Sequence, residues 1–196
     1  MYNYIELLKP RLSATVIFSC VAGYLLATPM IDVNLLLKLL IGGVSLVGAS
    51  NVLNQVYEVN IDALMDRTKN RPLPTKRIPI QSAFIFSLIL AFIGVCCLAM
   101  INFRCAFFGA LSALIYVIGY TPLKTHTPLS GLIGAFPGAM PFMLGWVAVT
   151  NKFGLETGIL FAIQFLWQFP HFWSIAWVRY EDYQKGGIQL LPSGRK

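Results

Sequence analysis

An all-α, polytopic transmembrane helical bundle is the fold class that this sequence predicts, and three observations carry it. Of 196 residues, 57% are hydrophobic and 12% charged, whereas a soluble domain has roughly 45–50% apolar and about 25% charged residues. The mean hydropathy of +0.68 agrees. The apolar residues gather in six runs, each close to the ~20 residues a helix needs to cross a bilayer. The cations between the runs are unevenly divided, as in membrane proteins of fixed orientation. A soluble enzyme, a disordered tail and a disulfide-stapled secreted domain are all excluded by this composition.

The first run spans about Leu12–Met30 and the second about Val33–Tyr57. The third is about Ile80–Ile101, the fourth about Arg104–Tyr120, the fifth about Leu129–Val149 and the sixth about Thr157–Trp177. Backbone groups in lipid must be satisfied within their own segment, so runs of this length are expected to be helices. Lys9 and Arg11 precede the first run, as in a signal peptide. The run is too long for an ordinary signal core and no small-x-small cleavage site follows, so an uncleaved first helix is expected.

Six spans put both termini on one side. That side receives Lys9, Arg11, Arg67, Lys69, Arg71, Lys76, Arg77, Lys124, Arg179, Lys185, Arg195 and Lys196. The other receives Lys38, Arg104 and Lys152. The richer side is therefore expected to be cytoplasmic, in a bacterial-type inner membrane with the N-terminus inside. The net charge of +7 is then an orientation signal, and no nucleic-acid partner is expected. Cys20, Cys96, Cys97 and Cys105 form no C-x-x-C pair and lie in or beside apolar runs, which suits small buried apolar residues. The second and third runs are joined by a long loop carrying Pro72, Pro74 and Pro79, and long loops in compact chains are often functional.

The chemically informative segment follows the second run. Asn54, Glu58, Asp62 and Asp66 fall at steps of four. On a helix each step drifts only about 40°, so the four side chains are expected on one broad face, successive members about 5–6 Å apart. Carboxylates so placed at a membrane edge repel one another unless a cation offsets them. Oxygen ligands without His or Cys favour Mg²⁺ or Ca²⁺ over zinc, and Mg²⁺ binds one or two carboxylates together with substrate phosphates. Arg67, Lys69 and Arg71 follow at once and suit the remaining diphosphate oxygens. The plainer alternative is a solvated helix whose acids pair with neighbouring Arg and Lys.

The segment Asn54 to Arg71 resembles the first signature, N-x-x-x-D-x-x-x-D, of the UbiA-type intramembrane prenyltransferases. The continuation Asp66-Arg-Thr-Lys-Asn-Arg-Pro-Leu73 is similar to its version in the protoheme IX farnesyltransferase branch of that superfamily. Leu8-Lys-Pro-Arg11, Tyr120-Thr-Pro-Leu-Lys124 and Gly134-Ala-Phe-Pro-Gly-Ala-Met-Pro-Phe-Met-Leu-Gly-Trp146 agree with that branch. So do Trp167-Gln-Phe-Pro-His-Phe-Trp173, Glu181-Asp-Tyr-Gln-Lys-Gly-Gly187 and Leu191-Pro192. The resemblance covers nearly the whole chain. It implies one integral-membrane domain over residues 1–196 and transfer of farnesyl from farnesyl diphosphate to a vinyl carbon of heme B, giving heme O. It also implies Mg²⁺ as cofactor, and membrane lipid, heme A synthase or terminal-oxidase assembly factors as partners.

Carried over residue by residue, Asn54, Glu58 and Asp62 match the first signature, with Glu58 where Asp is common. Asp66 continues the ladder. Asp182, with Glu181 beside it, matches the second signature and implies a second metal position. Asn54, Glu58, Asp62 and Asp182 are the expected catalytic residues. Arg67, Arg71 and Lys124 are the expected diphosphate contacts. His171, in the sixth run amid Trp167, Phe169, Phe172 and Trp173, fits either a heme-iron ligand or a polar residue hydrogen-bonded inside the bundle; the aromatics suit packing and cavity lining. His126 is expected to be a loop residue.

The family has about nine membrane helices around a cavity. This sequence stops at Pro192-Ser-Gly-Arg-Lys196, so the resemblance implies about six of them, with the C-terminal helices lacking. Prenylation of another aromatic or quinone precursor is the alternative within the same reaction class. A transporter is disfavoured because the acids lie at one membrane face and no internal repeat is visible. A non-catalytic heme-binding protein would use His171 and tolerate loss of Glu58 and Asp62.

Overall fold

The computed structural model describes residues 2–191, and its regular elements are all helical. They are α1 (Tyr2–Leu7), α2 (Pro10–Ala27), α3 (Val33–Tyr57), α4 (Val59–Leu64), α5 (Ile80–Ala99) and α6 (Phe103–Leu114). A π-helical turn (Ile115–Tyr120) follows, then α7 (Thr121–Leu123), α8 (Ser130–Thr150), α9 (Leu155–Val178) and α10 (Tyr180–Lys185). Each of the six expected runs is a helix, and the second keeps its expected bounds.

Five helical stretches are long and apolar enough to cross a membrane, among the described residues: Pro10–Ala27, Val33–Tyr57, Ile80–Ala99, Phe103–Leu123 and Ser130–Thr150. The protein is thus an integral, multi-pass membrane protein. The sixth expected span corrects in kind. It forms α9, 24 residues long, but is not among the five. Gln164, Gln168, Pro170 and His171 dilute its hydropathy. It lies against α8 through the Phe136, Phe161 and Phe165 rings.

The chain folds back and forth, α3 against α5 and α2 against α8, with α8 also touching α6 and α9. Small residues set the α2–α8 approach. A Cβ on Gly145 would stand 1.9 Å from the Cys20 carbonyl oxygen, and one on Gly23 2.0 Å from that of Phe142. Without a hydrophobic driving force between helices in lipid, such close backbone packing is what holds them together. Pro141 in α8 cannot donate to Pro137 four residues back, and Ser112 Oγ donates to that carbonyl instead, at 3.4 Å.

Polar residues close one end of the bundle. Asp32 caps α3 through Leu35 N (3.0 Å) and exchanges hydrogen bonds with the Tyr24 hydroxyl. Asn102 caps α6 through Cys105 N (2.8 Å) and donates to the Val147 carbonyl. Arg104 donates to Asn151, the left-handed residue that ends α8. The start of α2, the end of α3, the α7 loop and α10 meet at the opposite end. The four cysteines are free thiols, Cys20 and Cys105 buried, in line with an apolar role.

Candidate functional site

α3 carries Asn51, Asn54 and Gln55 on its buried face in its last two turns. Helical geometry ends at Glu58 (φ −97°, ψ 12°), resumes in α4 and stops again at Met65, which is extended. The expected single ladder is therefore corrected. Asn54, Glu58 and Asp62 remain together, whereas Asp66 lies past the break and points away.

The three retained side chains are buried: Asn54 3% exposed, Glu58 2% and Asp62 1%. Each meets a cation from a different segment. Lys9, between α1 and α2, donates through Nζ to Asn54 Oδ1 at 2.9 Å. Lys124, after α7, stands 2.5 Å from Glu58 Oε1. Arg71, in the long loop, donates to Asp62 Oδ2 at 2.8 Å. The Lys124–Glu58 contact is an ion pair without hydrogen-bond alignment, and Glu58 Oε1 has no hydrogen-bond partner. The plainer expectation, a solvated helix whose acids pair with nearby Arg and Lys, holds in its pairing for Asp62 with Arg71 and Asp66 with Lys69, but not for Asn54 and Glu58, and the cluster is buried. The partners come from 9, 45 and 66 residues away.

The sequence explains how each partner arrives. The π turn widens the helix before α7 and brings Thr121 and Lys124 to the cluster. Such turns recur at functional sites. Thr121 Oγ1 donates to the Tyr116 carbonyl (2.9 Å) and accepts from Asn54 Nδ2 (3.3 Å). Lys124 Nζ lies 5.9 Å over the Tyr120 ring, which stacks on Phe172 of α9. In the long loop, Thr68 is fully buried and its Oγ1 donates to the Asp62 carbonyl at 2.8 Å. Pro72, Leu73 and Ile78 are buried beside it and anchor Arg71. Burial first, then the Arg71 charge, lowers the Lys9 ammonium below its ordinary range, and Glu58 opposes this.

The second acidic segment is built differently. Asp182 accepts from the backbone amides of Asp66 (2.7 Å) and Arg67 (3.4 Å). Asp66, its side chain 59% exposed, pairs with Lys69 at 2.7 Å and with Lys185 of α10. Those two partners hold its carboxyl down at about 2. Gly186 packs under Ile61 and Met65, and Gln189 N donates to the Lys124 carbonyl at 2.7 Å. α10 and the residues after it therefore strap the long loop to the α7 loop. Glu181 and Arg67 are exposed.

His171 is exposed on α9, with its ring 6.0 Å from Phe172. Trp167 (60% exposed) and Trp173 (45%) share its surroundings. A buried, hydrogen-bonded histidine is not what this side chain is. His126 is an exposed loop residue, its Nδ1 2.9 Å from the Pro122 carbonyl. Arg195 and Lys196 lie outside the described residues.

Among the described residues, no three His, Cys, Asp or Glu side chains gather to hold a metal ion. The donors that fit a hard divalent cation are two buried carboxylates and the Asn54 amide oxygen, with Glu58 Oε1 met only by the Lys124 ion pair. Sequence patterns missed Lys9 and Thr121 as members of the cluster. The available signal was the polar face Asn51-Asn54-Gln55, which a purely lipid-facing helix would not carry.

A membrane bundle with an N-x-x-x-E-x-x-x-D cluster ringed by cations defines a class, and comparison with known proteins agrees. The UbiA prenyltransferase family model matches residues 16–195, and the chain belongs to that family. It is 53% identical over 194 residues to the protoheme IX farnesyltransferase of Christiangramia forsetii, covering 99% of this chain and 65% of that one. It is 52% identical to the protoheme IX farnesyltransferase of Flavobacterium psychrophilum, covering 99% and 66%. The chain thus spans just under two thirds of these curated relatives. A UbiA homolog from Archaeoglobus fulgidus, solved bound to DMAPP and Mg²⁺, superposes with a TM-score of 0.82 at 17% identity, over 95% of this chain and 67% of that one. A digeranylgeranylglyceryl phosphate synthase does so with a TM-score of 0.82 at 24%, over 96% and 67%. Both show the fold.

Proposed function

We propose that the chain carries the metal and diphosphate site of a Mg²⁺-dependent protoheme IX farnesyltransferase, within one integral-membrane domain. The observation that carries this is the buried cluster in which Asn54, Glu58 and Asp62 each hold a cation, two of them brought from distant segments. Such an arrangement costs desolvation that a structural role does not require. The names of the relatives at about half identity support heme B as acceptor and farnesyl diphosphate as donor.

Asn54, Glu58 and Asp62 would hold Mg²⁺, and Asp182 would hold a second ion through the lone pairs its two amide partners leave free. Bound Mg²⁺ would neutralise the diphosphate oxygens and stabilise diphosphate as a leaving group. Arg71 and Lys124, released from their carboxylates, would bind the same oxygens. Arg67 stands at the loop surface, where it would meet the anion on entry. The C1–oxygen bond of farnesyl diphosphate breaks and its electron pair leaves with diphosphate. A carbon–carbon bond forms to the vinyl group of heme B, and water adds to the other, now cationic, vinyl carbon and gives up a proton to solvent, leaving the hydroxyl. His171, with Trp167 and Trp173, would stand on the acceptor side. The cations gather at the cluster's end of the bundle, which supports a cytoplasmic site in an inner membrane.

The test is product formation. The chain in liposomes with heme B, farnesyl diphosphate and Mg²⁺ should yield heme O by mass, and an Asp62→Ala, Asp182→Ala double variant should yield none. Equal product from both would sink the assignment.

A further inference from the structure

Lys9 lies in the matching segment Leu8-Lys-Pro-Arg11, but the resemblance assigns it no role. Its backbone is left-handed (φ 50°, ψ 64°), a conformation that non-glycine residues rarely adopt. It also directly precedes Pro10, which disfavours helical conformations at that position. Strain of this kind persists only where the surroundings over-determine it. Here they do. Gln55 Nε2 donates to the Leu7 carbonyl at 2.7 Å. The Leu8 carbonyl accepts from both Asn51 Nδ2 (3.2 Å) and Ser13 Oγ (2.7 Å). Gln55 and Asn51 are 1% and 2% exposed. Three buried side chains thus clamp the α1–α2 junction in the one form that turns Lys9 into the cluster.

The charges there do not balance. Arg71 and Lys124 each have a carboxylate, but the Lys9 ammonium has the neutral amide oxygen of Asn54. With Lys9 protonated one positive charge is in excess, and a divalent cation on the same oxygens enlarges the excess. A polyanion cancels it. We infer that Lys9 is a diphosphate-binding residue, held on Asn54 Oδ1 until a metal takes that oxygen and the ammonium turns to the anion. This rests on the metal and diphosphate role proposed for Asn54, Glu58 and Asp62. The competing role is structural, with Lys9 only orienting Asn54 for the metal.

The two roles differ in sign. The full chain in detergent is compared with its Lys9→Met, Lys9→Gly, Lys9→Arg and Lys124→Met variants. Mn²⁺ alone is followed by electron paramagnetic resonance, and inorganic diphosphate with Mg²⁺ by calorimetry. Lys9→Met and Lys9→Gly should weaken diphosphate binding by about 10- to 100-fold, the worth of a charge-assisted hydrogen bond. Lys9→Arg should recover most of it. Mn²⁺ binding alone should hold or tighten, because a competing cation has left Asn54 Oδ1. Glycine takes the left-handed form freely, so Lys9→Gly should melt no lower than the parent, and its loss of binding is then not misfolding. Weaker Mn²⁺ binding in both variants would overturn the inference in favour of the orienting role. Unchanged diphosphate binding in them, with loss in Lys124→Met, would overturn it alone. A parent chain that binds no diphosphate would remove the proposed site and this inference together.

Discussion

The two acidic clusters of this chain, one around Glu58 and Asp62 and one around Asp66 and Asp182, are built on opposite principles. Asn54, Glu58 and Asp62 are almost wholly buried, and their partners come from three separate parts of the fold. Asp66, Glu181 and Lys185 are exposed, and Asp66 pairs with Lys69 three residues on and with Lys185 of α10. The first group holds its acids and their cations together out of water. The second fastens a loop. What separates them is burial, since an ion pair in water is worth little and one removed from water is strongly coupled to its partner.

The largest effect expected from breaking this contrast is at Asp62. Asp62→Ala leaves Arg71, 18% exposed, without its carboxylate and should cost about 3 kcal/mol in thermal unfolding, as loss of one buried partner does. Prenyl transfer should fall by about 10²- to 10³-fold, as when a charge-stabilising group is lost. Adding Arg71→Leu should return part of the stability and none of the activity. If the double variant regains activity, the pair is only a brace.

Asp182 comes next. Its carboxylate caps two amides of the long loop, so Asp182→Ala should speed hydrogen exchange at Asp66 and Arg67 by roughly tenfold, about one lost charge-assisted bond. Activity sharpens the comparison. A fall matching that of Asp62→Ala assigns Asp182 to the metal, and a fall of only a few-fold leaves it a positioning residue for Arg71.

The fold was largely legible because bilayer thickness imposes a length on every run; α3 runs from Val33 to Tyr57 as the composition alone predicts. α9 was legible as a helix but not in its hydropathy, since Gln164, Gln168 and His171 sit inside an otherwise apolar stretch. The period of four placed Asn54, Glu58 and Asp62 correctly. It misplaced Asp66, because no residue between Glu58 and Asp66 announces the two breaks that Glu58 and Met65 introduce. Lys9 was counted as an orientation charge and as part of the Leu8-Lys-Pro-Arg11 segment, with no role at the site. Its role depends on Asn51 and Gln55 reaching across 43 and 48 residues to the chain before α2, and no local pattern carries such information.

The smallest expected effect is at Asp66. Asp66→Asn should leave prenyl transfer within about threefold, as an exposed pair contributes little. Its charge state is the sharper readout. Lys185 and Lys69 lower its carboxyl from 3.8 to about 2. A carboxyl lowered on folding adds stability that is complete above its unfolded value and lost as pH falls through its folded value. The strap between the long loop and α10 should therefore hold at pH 5 and loosen only between about pH 4 and 2. Carboxyl carbon resonances in micelles should titrate Asp66 near 2 at low salt. The midpoint should rise toward 3.8 in Lys185→Met and again at about 1 M salt, where the screening length is ~3 Å. A midpoint already near 3.8 at low salt would show that the strap is not electrostatic. Because Asp66 stays ionised from pH 5 upward, it should contribute nothing to any pH dependence of prenyl transfer in that range.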